Sequence, residues 1–137
     1  MSYSQIVVLR CELMAAAAGA NASGCVTVPP GKWRIKSARW TPSVAASADA
    51  SHYATLTLST NQLAASVSFV TIATALTTAT VAMVLGTPRT LALLTTAAAN
   101  AALEVPGDGT IQIAKTYTGN GVVVGGAAEI VLEKVPT

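Results

Sequence analysis

The stretch PPGKWRIKSARWTP, residues 29–42, holds the side chains best placed for binding chemistry. Four of the eight lysine and arginine residues of the chain lie in it: Lys32, Arg34, Lys36 and Arg39. The first three alternate, and alternate residues of a β-strand share one face. The spacing therefore predicts a line of positive charge along a strand, called the basic row below.

The two tryptophans of the chain lie within the same stretch and limit what the basic row can bind. Trp33 points away from the lysines, but strict alternation would place Trp40 beside them and turn Arg39 inward. A β-bulge near Ser37–Ala38 restores the phase, so that Arg39 points outward and Trp40 inward, and we predict this bulge. The bulge leaves no aromatic ring beside the charges on which a base could stack.

Three interpretations of the basic row stay open: a solvated strand face, a contact with an acidic protein surface, and a nucleic-acid site. The net charge of the chain is only +2, which gives little general attraction to phosphates. We expect no nucleic-acid partner. Contact with an acidic protein surface is the functional interpretation carried forward.

Catalytic chemistry has weak support in the sequence. The only histidine is His52, with Ser47, Asp49, Ser51 and Tyr53 nearby. Adjacent residues of a strand point to opposite faces, so this run cannot form a catalytic triad by itself. We expect His52 to be a surface or turn residue and the protein not to be an enzyme.

Acidic and glycine-rich segments also fit structural roles. Asp108 lies in PGDG, a turn sequence, and Glu129 and Glu133 share the outward face of the last predicted strand. The segment GNGVVVGG lacks the strand–helix setting of a phosphate-binding loop. We therefore expect no cofactor.

The two cysteines, Cys11 and Cys25, belong to no CxxC motif and no Cys/His cluster, so no metal site is expected. Arg10 and Glu12 interrupt the apolar N-terminal stretch, which is unlike a secretory signal. We therefore expect synthesis in a cytoplasm and reduced, buried thiols.

The composition of the chain is unusual for a soluble protein. Of 137 residues, 52% are hydrophobic and 10% charged, where about 25% charged is typical. The range 50–88 has no Lys, Arg, Asp or Glu, and residues 62–86 are long enough to span a bilayer. Their high content of threonine and serine instead favours strands. We expect no membrane segment, and a homo-oligomer whose contacts come from Ala50–Pro88.

Periodicity predicts a single all-β domain over residues 1–137, a sandwich or barrel of about eight short strands. The clearest strands alternate over residues 4–14, 25–31, 32–40, 52–60, 67–72, 101–105, 110–118 and 128–136. Residues 77–86, 90–98 and 122–126 are shorter apolar stretches, and residues 96–103 form either one helical turn or an irregular link. We expect Leu56 and Leu58 to share one face, as do Ile111 and Ile113.

Three segments together resemble the small β-sandwich head decoration (cement) or fibre proteins of tailed bacteriophages. They are VTVPPGKWRIKSARW at 26–40, YATLTLST at 53–60, and residues 91–133, in which a PGD turn leads to paired C-terminal strands. The resemblance covers most of the chain. It implies a jelly-roll-like antiparallel β-sandwich that forms a homotrimer on the outside of an icosahedral capsid.

The resemblance further implies a non-enzymatic structural virion protein that binds the outer capsid surface and stabilises the head. Its partners would be other copies of itself and the major capsid protein, on the capsid surface of a virion assembled in the host cytoplasm. The basic row is then the candidate for docking on an acidic capsid surface. The alternative is a fibre or adhesin domain that binds host-surface carbohydrate. It would need an exposed platform drawn from Trp33, Trp40, Tyr3, Tyr53, Tyr117 and Phe69.

Overall fold

The computed structural model describes residues 5–61 and 68–136, and within them the chain forms ten strands and one short helix. The elements are β1 (Ile6–Leu13), β2 (Ala22–Thr27), β3 (Lys32–Pro42), β4 (Tyr53–Asn61), β5 (Val70–Thr71), β6 (Leu76–Thr77), β7 (Arg89–Thr90), α1 (Ala97–Ala102), β8 (Glu104–Pro106), β9 (Thr110–Thr118) and β10 (Gly126–Lys134). The long strands were expected from the alternation. The strand count exceeds eight because the middle of the chain contributes pieces of two or three residues.

The strands form two antiparallel sheets packed face to face. Sheet one has the order β1-β10-β3-β7, with β8 also paired to β3, and sheet two has the order β2-β9-β4-β5, with β6 also paired to β4. The first strand therefore lies beside the last and the second beside the next to last. Further inward, β3 pairs with β7 and β8 in sheet one, and β4 pairs with β5 and β6 in sheet two. This nested arrangement is a jelly roll, so the predicted all-β sandwich is confirmed.

Alternation along the long strands creates the core between the sheets. Leu56 and Leu58 of β4 share one face, as do Ile111 and Ile113 of β9, as predicted, and all four are fully buried. Sheet one contributes Ile130 and other aliphatic residues of β10, together with both tryptophans. Small and aliphatic side chains thus fill most of a core that contains few aromatic rings.

The bulge predicted near Ser37–Ala38 is present in β3, with its extra residue one position earlier. Val131 of β10 pairs with Ser37, while the next residue, Leu132, pairs with Ile35, so Lys36 is the extra residue of β3. The shift places Trp40 in the core, fully buried, and leaves Arg39 exposed. The bulge absorbs Lys36, so Trp33 and Trp40 share the inward face although seven positions separate them.

The middle of the chain differs more from expectation. Of the strand predicted at 67–72, Val67 lies outside the described residues, and β5 covers only Val70–Thr71. Residues 77–86 and 90–98 contribute β6, β7 and the isolated bridges Ala46↔Met83 and Ala73↔Leu93. No helix in the described residues is long and apolar enough to cross a membrane.

Two local features explain further departures. Residues 122–125 form no strand, because Gly119 and Gly121 take positive φ values of 65° and 68° and turn the chain before β10 begins. Residues 96–103 adopt the helical alternative: the hydroxyl of Thr96 accepts a hydrogen bond from the Ala99 amide and caps α1.

Candidate functional site

The basic row lies on the outer face of sheet one. Along β3, Trp33, Ile35 and Trp40 point into the core, so Lys32, Arg34 and Arg39 point outward, and Lys36 is exposed at the bulge. The strand thus brings the four predicted site residues to one face of the molecule.

One carboxylate from a distant part of the chain, that of Glu104, meets the first two members of the row. The ammonium of Lys32 lies 3.3 Å from the Glu104 carboxylate, and the guanidinium of Arg34 lies 3.6 Å from its other oxygen. Arg34 also donates to the side-chain oxygen of Asn100 in α1 at 2.6 Å. Glu104 is on β8, which pairs with β3, so this neutralisation comes from strand pairing.

Arg39 pairs in the same way with the opposite neighbour of β3. Its guanidinium donates to Glu129 of β10 at 2.9 Å, and the two residues face each other in the ladder. Among residues 5–61 and 68–136, Lys36 has no carboxylate within ion-pair distance. Exposed pairs of this kind contribute about 0–1 kcal/mol each. They can therefore rearrange at little cost.

The outer face of sheet one holds most of the charge of the protein. Five of the eight basic residues lie on it: Arg10, Lys32, Arg34, Lys36 and Arg39. Four of the six acidic residues accompany them: Glu12, Glu104, Glu129 and Glu133. Arg10 itself pairs with Glu12 at 3.1 Å. The face therefore carries closely spaced charges of both signs, with one more cation than carboxylates.

Apolar side chains lie between the charged residues of this face. Ile6 and Val8 of β1 are 60% and 58% exposed. Val8, Val131 and Ser37 line a shallow groove beside the Arg39–Glu129 pair. This face can therefore offer both charged groups and apolar area to a charged partner surface.

Neither tryptophan can serve as a stacking platform beside the basic row. Trp33 is 2% exposed, and its indole Nε1 donates to the carbonyls of Pro29 and Pro30, both at 3.1 Å. Trp40 is fully buried. The residues that would have to stack on bases or sugars thus belong to the core.

His52 lies in a turn, as expected. Its Nδ1 accepts from the Asn120 amide at 2.9 Å, which ties the 49–52 turn to the 119–121 turn. Asp49 accepts from the amides of Ser51 and His52, at 2.8 and 3.1 Å, and these hydrogen bonds lower the pKa of the Asp49 carboxyl. These polar groups hold backbone turns in place. No three His, Cys, Asp or Glu side chains of the described residues are grouped so that they could hold a metal.

The cysteines have different environments, and the prediction that both are buried is wrong for one of them. Both are free thiols: Cys11 is buried between the sheets, where it donates to the Gly24 carbonyl at 3.0 Å, and burial raises its pKa. Cys25 is exposed, because its position on β2 points to the outer face of sheet two.

Sequence reasoning missed Lys115. It is 1% exposed, and it follows Ile111 and Ile113 on the inward face of β9. The alternation that placed those two isoleucines in the core was the available signal. When the same alternation is continued from Ile113 to position 115, it places a lysine inside the sandwich.

Comparison of the chain with known protein families, with characterised proteins and with solved structures found no match. The site is therefore interpreted from its own geometry and chemistry.

Proposed function

We propose that this chain is a non-enzymatic structural virion protein, a capsid decoration or cement protein that binds the outer capsid surface as a homo-oligomer, expected to be a trimer. The observation that carries the proposal is the concentration of charge and apolar area on one face of a jelly roll. Jelly rolls are frequent in viral capsid proteins, although the fold alone does not assign a function.

Docking on the major capsid protein would use the outer face of sheet one. Among the described residues, no carboxylate lies within ion-pair distance of Lys36. The three other members of the basic row form exposed ion pairs, which are weak. An acidic partner surface can pair with Lys36 directly and share Lys32, Arg34 and Arg39 with Glu104 and Glu129. Ile6 and Val8 supply apolar area beside these contacts.

The proposed docking face is tested by replacing Lys32, Arg34, Lys36 and Arg39 together with Ser. We expect weaker binding to capsids of the encoding phage and a smaller dependence of that binding on salt, because salt screens exposed charge pairs. Binding of labelled protein to purified capsids at several salt concentrations measures both quantities.

The matched control replaces Glu12, Glu104, Glu129 and Glu133 with Gln. If the partner is acidic, removal of these carboxylates strengthens binding at low salt. Unchanged affinity and salt dependence in both variants would exclude this face as the docking site.

A carbohydrate-binding adhesin is not favoured by any side-chain arrangement among the described residues. Both tryptophans are in the core, and the exposed aromatic residues in the described part of the chain are Tyr117 and Phe69, at 42% and 37%. Tyr3 lies outside the described residues. Specific hits on a glycan array that disappear in a Tyr117→Ala variant would overturn the cement proposal in favour of this alternative.

A further inference from the structure

The outer edge of β1 carries backbone hydrogen-bonding groups that no ladder uses. β1 is the edge strand of sheet one and pairs with β10 alone. The amide of Lys134 donates to the Gln5 carbonyl at 2.8 Å, which identifies a hydrogen-bonded pair of this ladder. Such pairs recur at every second residue. The backbone groups that point away from β10 therefore belong to the even-numbered residues of the strand: Ile6, Val8, Arg10 and Glu12.

Strand β2 covers only one end of this edge. The carbonyl oxygen of Glu12 lies against the backbone of Gly24, so close that a methyl group at Gly24 would collide with it. Cys11 is correspondingly buried, whereas Val7 and Leu9, which also point inward, are only half-buried. The N-terminal half of the edge is thus free, and no other backbone group of the described residues bonds to it.

The free half lacks the features that protect edge strands from other chains. The strands β5 to β8 have only two or three residues, which gives little room for a further ladder. β1 has eight residues without proline and pairs with β10 without a register shift. Ile6 and Val8 are its most exposed apolar side chains, and the charge of Arg10 is paired with Glu12. A long, regular, apolar edge is a template for another β-strand.

We infer that two copies of this chain pair through their β1 strands, antiparallel, around a twofold axis at Val8. Val8 then opposes Val8 of the second copy, and Ile6 and Arg10 oppose each other on both sides of the axis. Each opposed pair exchanges two backbone hydrogen bonds, so sheet one continues from one copy into the other.

The position of the axis follows from the free edge and its charges. Only edge-facing residues can oppose each other, so the alternative registers differ by steps of two residues. One step toward the C-terminus requires the Glu12 position, which β2 blocks, and a further step opposes Arg10 to Arg10, where like charges repel. A step in the other direction uses only Ile6 and Val8 of the free edge.

The side chains beside the axis favour a second copy as the occupant. Val131 lies beside Val8 in the ladder, so the pairing creates an uninterrupted row of four valines across the axis. Glu133 lies beside Ile6, so Arg10 of the second copy is two strands from Glu133, about 10 Å. The two long side chains can meet across that distance. The edge is therefore complementary to itself in hydrogen bonding, apolar contact and charge.

This contact goes beyond the proposed function because it joins chains in pairs. Single chains would form a dimer, and the expected trimer would join a second trimer through three such axes. Either way, the mass doubles.

The test compares two lysine substitutions in one cross-strand row. Val8→Lys places two like charges opposite each other at the axis, whereas Ser37→Lys places the same charge two strands from the edge. By light scattering, we expect the unaltered protein and Ser37→Lys to have twice the mass of Val8→Lys. Tryptophan fluorescence verifies that both variants are folded.

Val8→Pro tests the hydrogen bonds without adding charge. The Val8 amide points away from β10, so proline removes a donor from the free edge and none from the ladder. We expect the mass to be halved again. We also expect the amide hydrogens of Ile6 and Arg10 to exchange at least about tenfold more slowly in the unaltered protein than in Val8→Lys.

The inference is overturned by a mass that is equal in the unaltered protein and Val8→Lys, or by equal exchange of the Ile6 and Arg10 amides. A mass halved equally by Ser37→Lys would also overturn it. Capsid binding is measured separately. A protein that pairs as expected but never binds capsids would overturn the proposed function and leave this contact intact. Capsid binding by a protein whose mass is insensitive to Val8→Lys would do the reverse.

Discussion

At the scale of single residues, Lys115 is the least expected feature of the protein. Its ammonium is inside the sandwich and donates to the carbonyls of Ala17 and Ala18, at 3.1 and 3.3 Å. These two bonds tie the loop between β1 and β2 to β9 at one end of the core. Burial nevertheless disfavours the charged form and lowers the pKa of Lys115.

The lowered pKa predicts a specific dependence of stability on pH. Between the folded pKa and the ordinary value of 10.5, the unfolded chain binds more protons at Lys115 than the folded chain does. The contribution of Lys115 to the free energy of unfolding therefore rises with pH in that alkaline range. A Lys115→Met variant lacks this contribution.

Urea unfolding followed by tryptophan fluorescence, from neutral pH toward 10.5, measures the effect. We expect the free energy of unfolding of the unaltered protein to increase relative to that of Lys115→Met as the pH rises. Parallel pH profiles for the two proteins would contradict the predicted pKa direction.

At the scale of elements, β3 organises both the core and the candidate docking face. It is held on one side by β10 and on the other by β7 and β8. Its bulge at Lys36 keeps two tryptophans inward and the basic row outward. The ion pairs of the row connect β3 to these neighbours through Glu104 and Glu129.

Deletion of Lys36 tests the role of the bulge. Without Lys36, an even number of positions separates Trp33 from Trp40, so a regular strand keeps both tryptophans inward. We therefore expect the deletion variant to keep a cooperative unfolding transition, with a regular ladder between β3 and β10 in place of the bulge.

Lys36→Ala is the matched control, and it should change the free energy of unfolding by no more than about 0.5 kcal/mol because the side chain is exposed. Chemical denaturation measures both variants. Loss of the cooperative transition in the deletion variant, with Lys36→Ala near normal, would contradict this argument.

At the scale of the whole molecule, the first and last strands lie side by side in sheet one. The last strand, β10, is inserted between the first strand and β3 and pairs with both. Its residues Ile130 and Leu132 are fully buried. The jelly roll is therefore closed only when the C-terminal strand is in place.

A chain that ends at residue 125 should consequently fail to fold. It would leave β1 without its ladder partner and the core without the inward residues of β10. A chain that ends at Lys134 keeps the whole strand and serves as the control. Circular dichroism and amide-proton dispersion in NMR spectra distinguish the two, and a folded chain ending at 125 would contradict the argument.

Local alternation was enough to identify the long strands, the inward pairs Leu56/Leu58 and Ile111/Ile113, and the bulge that separates the tryptophans from the basic row. These features depend on a period of two along the chain, which neighbouring residues define. The order of the strands and the very short strands of residues 70–90 had no comparable local signal, because distant segments decide their pairing.

The features of the candidate site likewise fall into two groups, those set by local spacing and those set by the packing of distant segments. Its four basic residues and their common face follow from the spacing in β3, but their pairing with Glu104 and Glu129 joins residues 70 to 90 positions apart. The exposure of Cys25 and the two carbonyls that receive Lys115 likewise depend on how the sheets pack. Residue types and spacing thus decided which side chains share a strand face, while the nested sandwich decided which charges meet, because only folding brings the ends of the chain together.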